Sequence, residues 1–163
     1  MSTNIYPTQN SHLIVDAQLL DRSSEHNVGT LKGSGSRFHC PSVYQNKFHF
    51  GTGNSWINTI DADNNRHVFE LYGSGSAKID ETTYNLNSGI SGSTQNPIYI
   101  FAASDNNTRY SKSFRMYSLK FYEGNELLLD LVPIRIGSKG GLYNKVTNTI
   151  VFESSNYILG PDL

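Results

Sequence analysis

Apolar and polar residues alternate with a period of two through much of this chain. In "HLIVDAQL" (12–19), Leu13, Val15, Ala17 and Leu19 fall on one side of an extended backbone. His12, Asp16 and Gln18 fall on the other, with Ile14 as the exception. Successive side chains of a strand point to opposite faces, so the stretch predicts a half-buried strand. "KFHF" (47–50) alternates ahead of a Gly51-Thr52-Gly53-Asn54 loop, and "HVFELYGSGSAKID" (67–80) predicts strand, turn and strand, hinged at Gly73-Ser74-Gly75-Ser76. "PIYIFAAS" (97–104) predicts a continuous apolar strand that turns at Asp105-Asn106-Asn107. "FRMYSLKFYEGNELLLDLV" (114–132) predicts a hairpin bending at Glu123-Gly124-Asn125-Glu126. No window keeps a 3.6-residue period over three turns, and turn signals recur roughly every 8–12 residues, the spacing of a sandwich or jelly roll. The Gly-Ser pairs at 33–36 and 73–76 have unlike flanks, so they predict two hairpin turns and not a repeat.

Within the long hairpin, Arg115, Tyr117, Leu119 and Phe121 share one parity and Met116, Ser118, Lys120 and Tyr122 the other. Apolar residues on both faces place such a strand in mid-sheet of a two-layer sandwich. Pro133, which cannot donate, is expected to end the ladder. Gly140-Gly141 should allow a tight path that lets Leu142 and Tyr143 cover one end of the core.

Composition narrows the function classes. The 163 residues carry 13 basic and 14 acidic side chains, a formal net charge of −1. No field of one sign draws nucleic acid or an anionic membrane. No apolar run approaches the ~20 residues that span a bilayer. "MSTNIYPTQN" has neither a basic n-region nor an apolar h-region, so the chain is expected either to reach its destination by assembly or lysis or to be an excised domain. The single Cys40 excludes an intramolecular disulfide framework and is expected to be a small buried hydrophobe rather than a reactive thiol.

The closing stretch "SFRMYSLKFYEGNELLLDLVPIRIGSKGGLYNKVTNTIVF" resembles the C-terminal signature of laminin-G-like, concanavalin A-like jelly-roll modules of gut bacteria and their phages. In that signature a strand of the type Arg-x-Tyr-Ser-x-Lys-x-Tyr leads through a turn to a Leu/Asp-rich segment ending in Pro. A Gly-Leu-Tyr-Asp/Asn turn, a Val-Thr pair and a short Phe-containing strand follow. Positions 115–122, 127–133, 141–144 and 146–152 correspond in that order, with Asn144 where Asp is often found. "YPTQNSHLIVDAQL", "KFHFGTGN", "RHVFELYGSGSAKID" and "IYIFAASDNN" resemble the earlier strands more weakly. The resemblance implies one concanavalin A-like/laminin-G-like jelly-roll domain over 1–163, an all-β, two-sheet antiparallel β-sandwich. It also implies a virion or extracellular, cell-surface location.

Catalytic patterns are thin. A glycan hydrolase needs two carboxylates across the scissile bond, ~5–5.5 Å apart for retention. Asp80 and Glu81 are adjacent and face opposite ways, while Glu126 and Asp130 share a parity but flank Leu127-Leu128-Leu129. No enzyme is expected. The five His (12, 26, 39, 49, 67) form no zinc spacing and no Ser/His/acid motif. Neither Gly-Ser loop is followed by Lys-Ser/Thr or by a helix, so neither cradles phosphate. "DADNN" (61–65) starts like an EF-hand loop, but Arg66 and Tyr72 replace the Gly and Glu that loop needs. What remains is a loop calcium on Asp61 or Asp63, against a plain solvated turn; "SDNNTR" (104–109) has the same two readings. Asn106-Asn107-Thr108 is formally a glycosylation sequon, without meaning in a bacterial or viral protein.

Trp56, the single Trp, lies in "GTGNSWINT" among loop formers and amides. An exposed ring beside amides suits sugar, whose C–H faces stack while hydroxyls exchange hydrogen bonds; the alternative is a ring tucked under its loop. The expected role is therefore a non-catalytic, lectin-like module. Its shallow site would lie on rim loops 52–65 and 104–110, with Asn54, Trp56, Asp105, Asn107 and Arg109 on the ligand and Asp61 and Asp63 on calcium. The alternative is a structural fibre-tip or decoration protein working through virion or fibre contacts, with a homo-oligomer open.

Overall fold

The computed structural model describes residues 6–21, 38–52, 55–90, 98, 100–101 and 113–154. Among these the strands are β1 (Ser11–Asp21), β2 (Phe38–Tyr44), β3 (Lys47–Thr52), β4 (Ser55–Ile57), β5 (Arg66–Tyr72) and β6 (Ser76–Ile79). They continue with β7 (Thr82–Asn85), β8 (Ser113–Glu123), β9 (Glu126–Ile136), β10 (Lys139–Asn144) and β11 (Thr149–Ser154). Eight of them form one sheet in the order β11-β10-β9-β8-β1-β5-β6-β7, and β2-β3-β4 form a second. Every pairing is antiparallel, so the protein is an all-β, two-sheet antiparallel sandwich.

Strict alternation in β1 does what it predicts: Leu13, Val15, Ala17 and Leu19 are buried, and they meet Leu71 and Phe69 on β5 and Phe121 and Leu119 on β8. The small sheet closes over this floor. Phe48 and Phe50 set their rings edge-on to Phe69 at 5.2 and 5.7 Å, and Phe38 meets Phe121 at 6.4 Å. A buried aromatic removes about 150–250 Å² from water, so these rings contribute strongly to the apolar core they share with the β1 and β5 aliphatic residues. Cys40 is wholly buried among them, and burial pushes its thiol well above the ordinary range, so it is an inert hydrophobe.

The long hairpin pairs as expected, Leu119 opposite Leu131 and Phe121 opposite Leu129, about a turn at Gly124-Asn125 in which Gly124 has φ +57°. β8 lies between β1 and β9, in mid-sheet. Two bulges correct the expected faces. Asp16 faces Ser118 while Ala17 faces Met116, leaving Tyr117 as an extra residue. Past it the parity flips: Met116 and Phe114 pack on the core, and Arg115 joins the outer face opposite Gln18. A second shift, at Leu128, separates Glu126 from Asp130 in phase.

Other expectations change for local reasons. "KFHF" is buried on both sides beyond Lys47, not alternately. Ile98, Ile100 and Phe101 lie in no strand; Phe101 has φ +61°, which a strand cannot accommodate, and its ring stacks on Phe114 at 4.8 Å. The rest of 97–104 and the turn after it, apart from those three, are outside the described residues, as are 33–36. Pro133 does not end β9: it pairs with Leu142, beyond Leu131, the last β9 residue that pairs with β8 among the described residues. Pro41 likewise sits in an edge strand, inside the irregular register between His39 and Ser42. Gly141 to Asn144 form strand β10 rather than a turn. Leu142 packs on the core, whereas the Tyr143 hydroxyl donates to Asn148 Oδ1 at 3.1 Å. Asn144 is buried and its Oδ1 accepts from the backbone of Asp130 and of Val146, a role in which an Asp carboxylate would serve equally.

Candidate functional site

Trp56 stands on a short strand, β4, and not in a loop. β4 reaches β3 because the residue opposite is Gly51: a Cβ there would lie 2.2 Å from the Ser55 carbonyl oxygen and 2.5 Å from Trp56 Cα. Ile57 turns to the core, so Trp56, one residue earlier, faces out and is 53% exposed. Its ring lies 5.8 Å from that of His49, which Tyr44 flanks edge-on at 6.3 Å. His49 is buried, and desolvation lowers its pKa to about 4, so the imidazole behind Trp56 is neutral at ordinary pH. Ser42 donates to the His49 carbonyl at 2.8 Å, and its oxygen is 3.3 Å from His49 Nδ1. With the hydroxyl proton on a carbonyl and both residues buried, the pair is no activated nucleophile.

Loop 52–65 does not make one site. Trp56 is opposite Gly51 and Asp61 is bridged to Lys47, four rungs apart on β3 or about 14 Å at strand rise. Asp61 Oδ1 takes Lys47 Nζ at 2.8 Å, and Asp63 Oδ1 takes the Asn65 N–H at 2.7 Å and His67 Nε2 at 2.9 Å. A cation at Asp63 would sit against the imidazole. Among the described residues no group of three or more His, Cys, Asp or Glu side chains could hold a metal ion, and Asp61 and Asp63 are engaged separately, by Lys47 and by His67. Asn54, Asp105, Asn107 and Arg109 lie outside the described residues.

Sequence reasoning missed the outer face of the large sheet. His12 is opposite both Tyr72 and Tyr122, and the rings stack in a row, 4.1 and 5.9 Å apart. Glu70 Oε2 accepts from the Tyr72 hydroxyl at 2.6 Å and lies 2.8 Å from His12 Nε2, while Lys78 Nζ reaches Oε1 at 3.4 Å. Burial pushes the Glu70 carboxyl up, but hydrogen bonds from Tyr72, His12 and Lys78 outweigh it and hold it below its ordinary range. Burial and the same carboxylate push Tyr72 up to about 12. Further along, Arg66 forks onto Asp16 at 2.8 and 2.6 Å and lies 3.9 Å over the Tyr117 ring, whose hydroxyl donates to Gln18. The only signal was polar residues at outward parity; which of them meet depends on strand order.

No family model, curated protein or solved structure matches the chain. Among the described residues no helix is long and apolar enough to cross a membrane.

Proposed function

We propose that the protein is a non-catalytic glycan-binding module of the laminin-G-like, concanavalin A-like kind, carried on a virion or cell surface, with Trp56 as the stacking ring. The observation that supports this is one large ring, 53% exposed, on a three-residue strand and backed by a neutral imidazole. An indole held this way offers a flat apolar face to the C–H side of a pyranose. A non-catalytic role accords with the outer-face carboxylates. Asp16 is engaged by Arg66 and Glu70 by three donors, whereas a glycosidase acid needs a raised pKa.

The test is a glycan-array screen of the protein with and without calcium. Binding should be found, and Trp56→Ala should weaken it by about tenfold to a hundredfold, by analogy with base–aromatic stacking at ~1–3 kcal/mol. Binding that survives Trp56→Ala unchanged removes this site.

A second reading, a structural virion module acting through protein contacts, is favoured by a different region. Ile136, Val146 and Ile150 are 37%, 44% and 52% exposed around β9 to β11. Val146 and Ile150 lie together at the β10–β11 turn, with Ile136 at the opposite end of β10, and exposed apolar side chains on such a sheet edge suit assembly. If that surface joins copies, Ile150→Lys should dissociate an oligomer seen by light scattering.

A further inference from the structure

We propose that the outer face of the eight-stranded sheet docks on a second copy of this chain, face to face about a two-fold axis running along β1. One rung of the sheet carries the argument. Lys78 on β6 pairs with Glu70 on β5, Glu70 with Ile14 on β1, Ile14 with Lys120 on β8, and Lys120 with Asp130 on β9. Their chain neighbours Ala77, Leu71, Val15, Phe121 and Leu131 are buried, so these five side chains share the outer face. Across the sheet the row is cation, anion, isoleucine, cation, anion. Half a turn about β1 exchanges the two ends of that row. Lys120 then lies over Glu70 of the second copy and Asp130 over its Lys78, while Ile14 meets Ile14. An axis across the strands would instead set every charge on its own like. The arrangement about β1 is complementary, and the symmetry makes each contact twice.

Within one copy this row is short of partners. Lys120 makes no hydrogen bond or ion pair among the described residues, although Asp130 stands opposite. Asp130 Oδ1 is the one buried side-chain oxygen or nitrogen there without a hydrogen-bond partner. The Asp130 backbone is fixed, its N–H donating to Asn144 Oδ1 at 3.2 Å and its carbonyl accepting from the Lys145 N–H at 2.8 Å. A donor therefore has to come to this carboxylate. Glu70 has room for one more: Oε2 meets the Tyr72 hydroxyl and His12 Nε2, whereas Oε1 takes Lys78 alone, at 3.4 Å. One rung away Tyr72 would lie over Tyr122, but at the Gln18 rung Arg66 would meet Arg115, which confines the contact to the rungs of His12, Ile14 and Asp16. At strand spacing and rise these cover about 24 Å by 20 Å, on the order of 1,000 Å² over both copies, the lower limit of a specific interface. The dimer should accordingly be weak. This surface deepens the assembly reading, is separate from the β9–β11 edge, and is independent of Trp56 on the other sheet.

Sedimentation velocity of the full chain from about 10 µM to about 1 mM should show a monomer–dimer equilibrium that about 0.5 M salt weakens. Lys78→Glu, at a side chain 29% exposed, sets a carboxylate over Asp130 and should weaken association more than about tenfold. Asp130→Lys, which sets an ammonium over Lys78, should do the same. An equimolar mixture of the two variants should dimerise again, because both contacts of the mixed pair are then opposite in charge. Lys120→Glu, facing Glu70, is a further single variant that carries the test if Asp130→Lys does not fold. Ile150→Lys should leave the dimer intact. A protein that stays monomeric, a dimer indifferent to Lys78→Glu or Lys120→Glu, a mixture of folded variants that does not associate, or a dimer that Ile150→Lys dissociates would each overturn the proposal. The last of these outcomes would leave the assembly reading standing and move its surface to the β9–β11 edge.

Discussion

The two ends of the sandwich are closed by different physics. At one end, backbone meets backbone. Gly73 donates to the Ser11 carbonyl at 2.7 Å, and the Ile90 and Leu86 N–H groups bond the carbonyls of Gly73 and Gly75. Thr52 and Ser55 tie the same 86–90 segment to the small sheet through Ser88 O and Asn87 N. Glu123 clamps the Thr8 and Ser11 hydroxyls above it. At the other end, side-chain charges do the closing: Lys47 on Asp61, Arg66 on Asp16, and His67 between Asp63 and Asp80. The first end depends chiefly on glycines that let backbone approach backbone and the second on pairs of side-chain charges, so each should fail under a perturbation the other tolerates.

The largest effect is expected at the glycine end. A Cβ on Gly73 would lie 1.9 Å from the Thr8 carbonyl oxygen, and one on Gly89 would lie 2.5 Å from the Gly73 carbonyl oxygen. These neighbours are backbone and cannot swing aside. Gly73→Ala should cost about 3 kcal/mol, the upper part of the range for overpacking, with Gly89→Ala somewhat less. Urea unfolding at pH 6 and pH 9 checks both the size and the character: the loss should be the same at the two pH values. A Gly73→Ala protein as stable as the parent would mean that the Thr8–Gln9 segment yields freely.

These contrasts also mark where the sequence was legible. The core faces of β1 and the β5–β6 and β8–β9 hairpins could be read because alternation and turn chemistry report directly on local geometry. The bulges at Tyr117 and Leu128 leave no trace in a hydrophobic pattern, since an extra residue is an ordinary residue until the partner strand is known. β7, "TTYN", is a polar edge strand that no apolar period announces. The Gly-Ser hinge was visible as a turn, but the crowding around Gly73 comes from residues 8 and 89, far away in sequence. The exposure of Trp56 was one of two readings open in the sequence; Gly51, five residues earlier, decides where its strand lies. Asp61 and Asp63 look like paired ligands in "DADNN", yet Lys47 and His67 lie elsewhere on the chain and engage them singly.

At the charged end a smaller effect of opposite character is expected. Raising the pH from 6 to 9 should lower the stability of the parent as His67 is neutralised, because its raised pKa adds stability at low pH and loses it as pH climbs through the folded value. His67→Gln should flatten that part of the profile, while Gly73→Ala should shift the whole curve and keep its slope. A slope unchanged in His67→Gln would assign the pH dependence to another group.

The smallest effect should come from the Lys47–Asp61 pair. At 36% and 84% side-chain exposure it is screened by water and salt, and the 2.8 Å contact should contribute no more than ~0–1 kcal/mol. Asp61→Asn should therefore leave the melting temperature within a degree or two of the parent, and 1 M salt should erase even that difference. The same variant distinguishes an ion pair from a calcium ligand. Asp61 is engaged by Lys47 while Asp63 faces His67, so added calcium should move neither protein's melting temperature. A calcium-dependent rise in the parent that vanishes in Asp61→Asn would show that the carboxylate leaves Lys47 for the cation. It would also make this end of the sandwich a metal-closed one, in contrast to the glycine end.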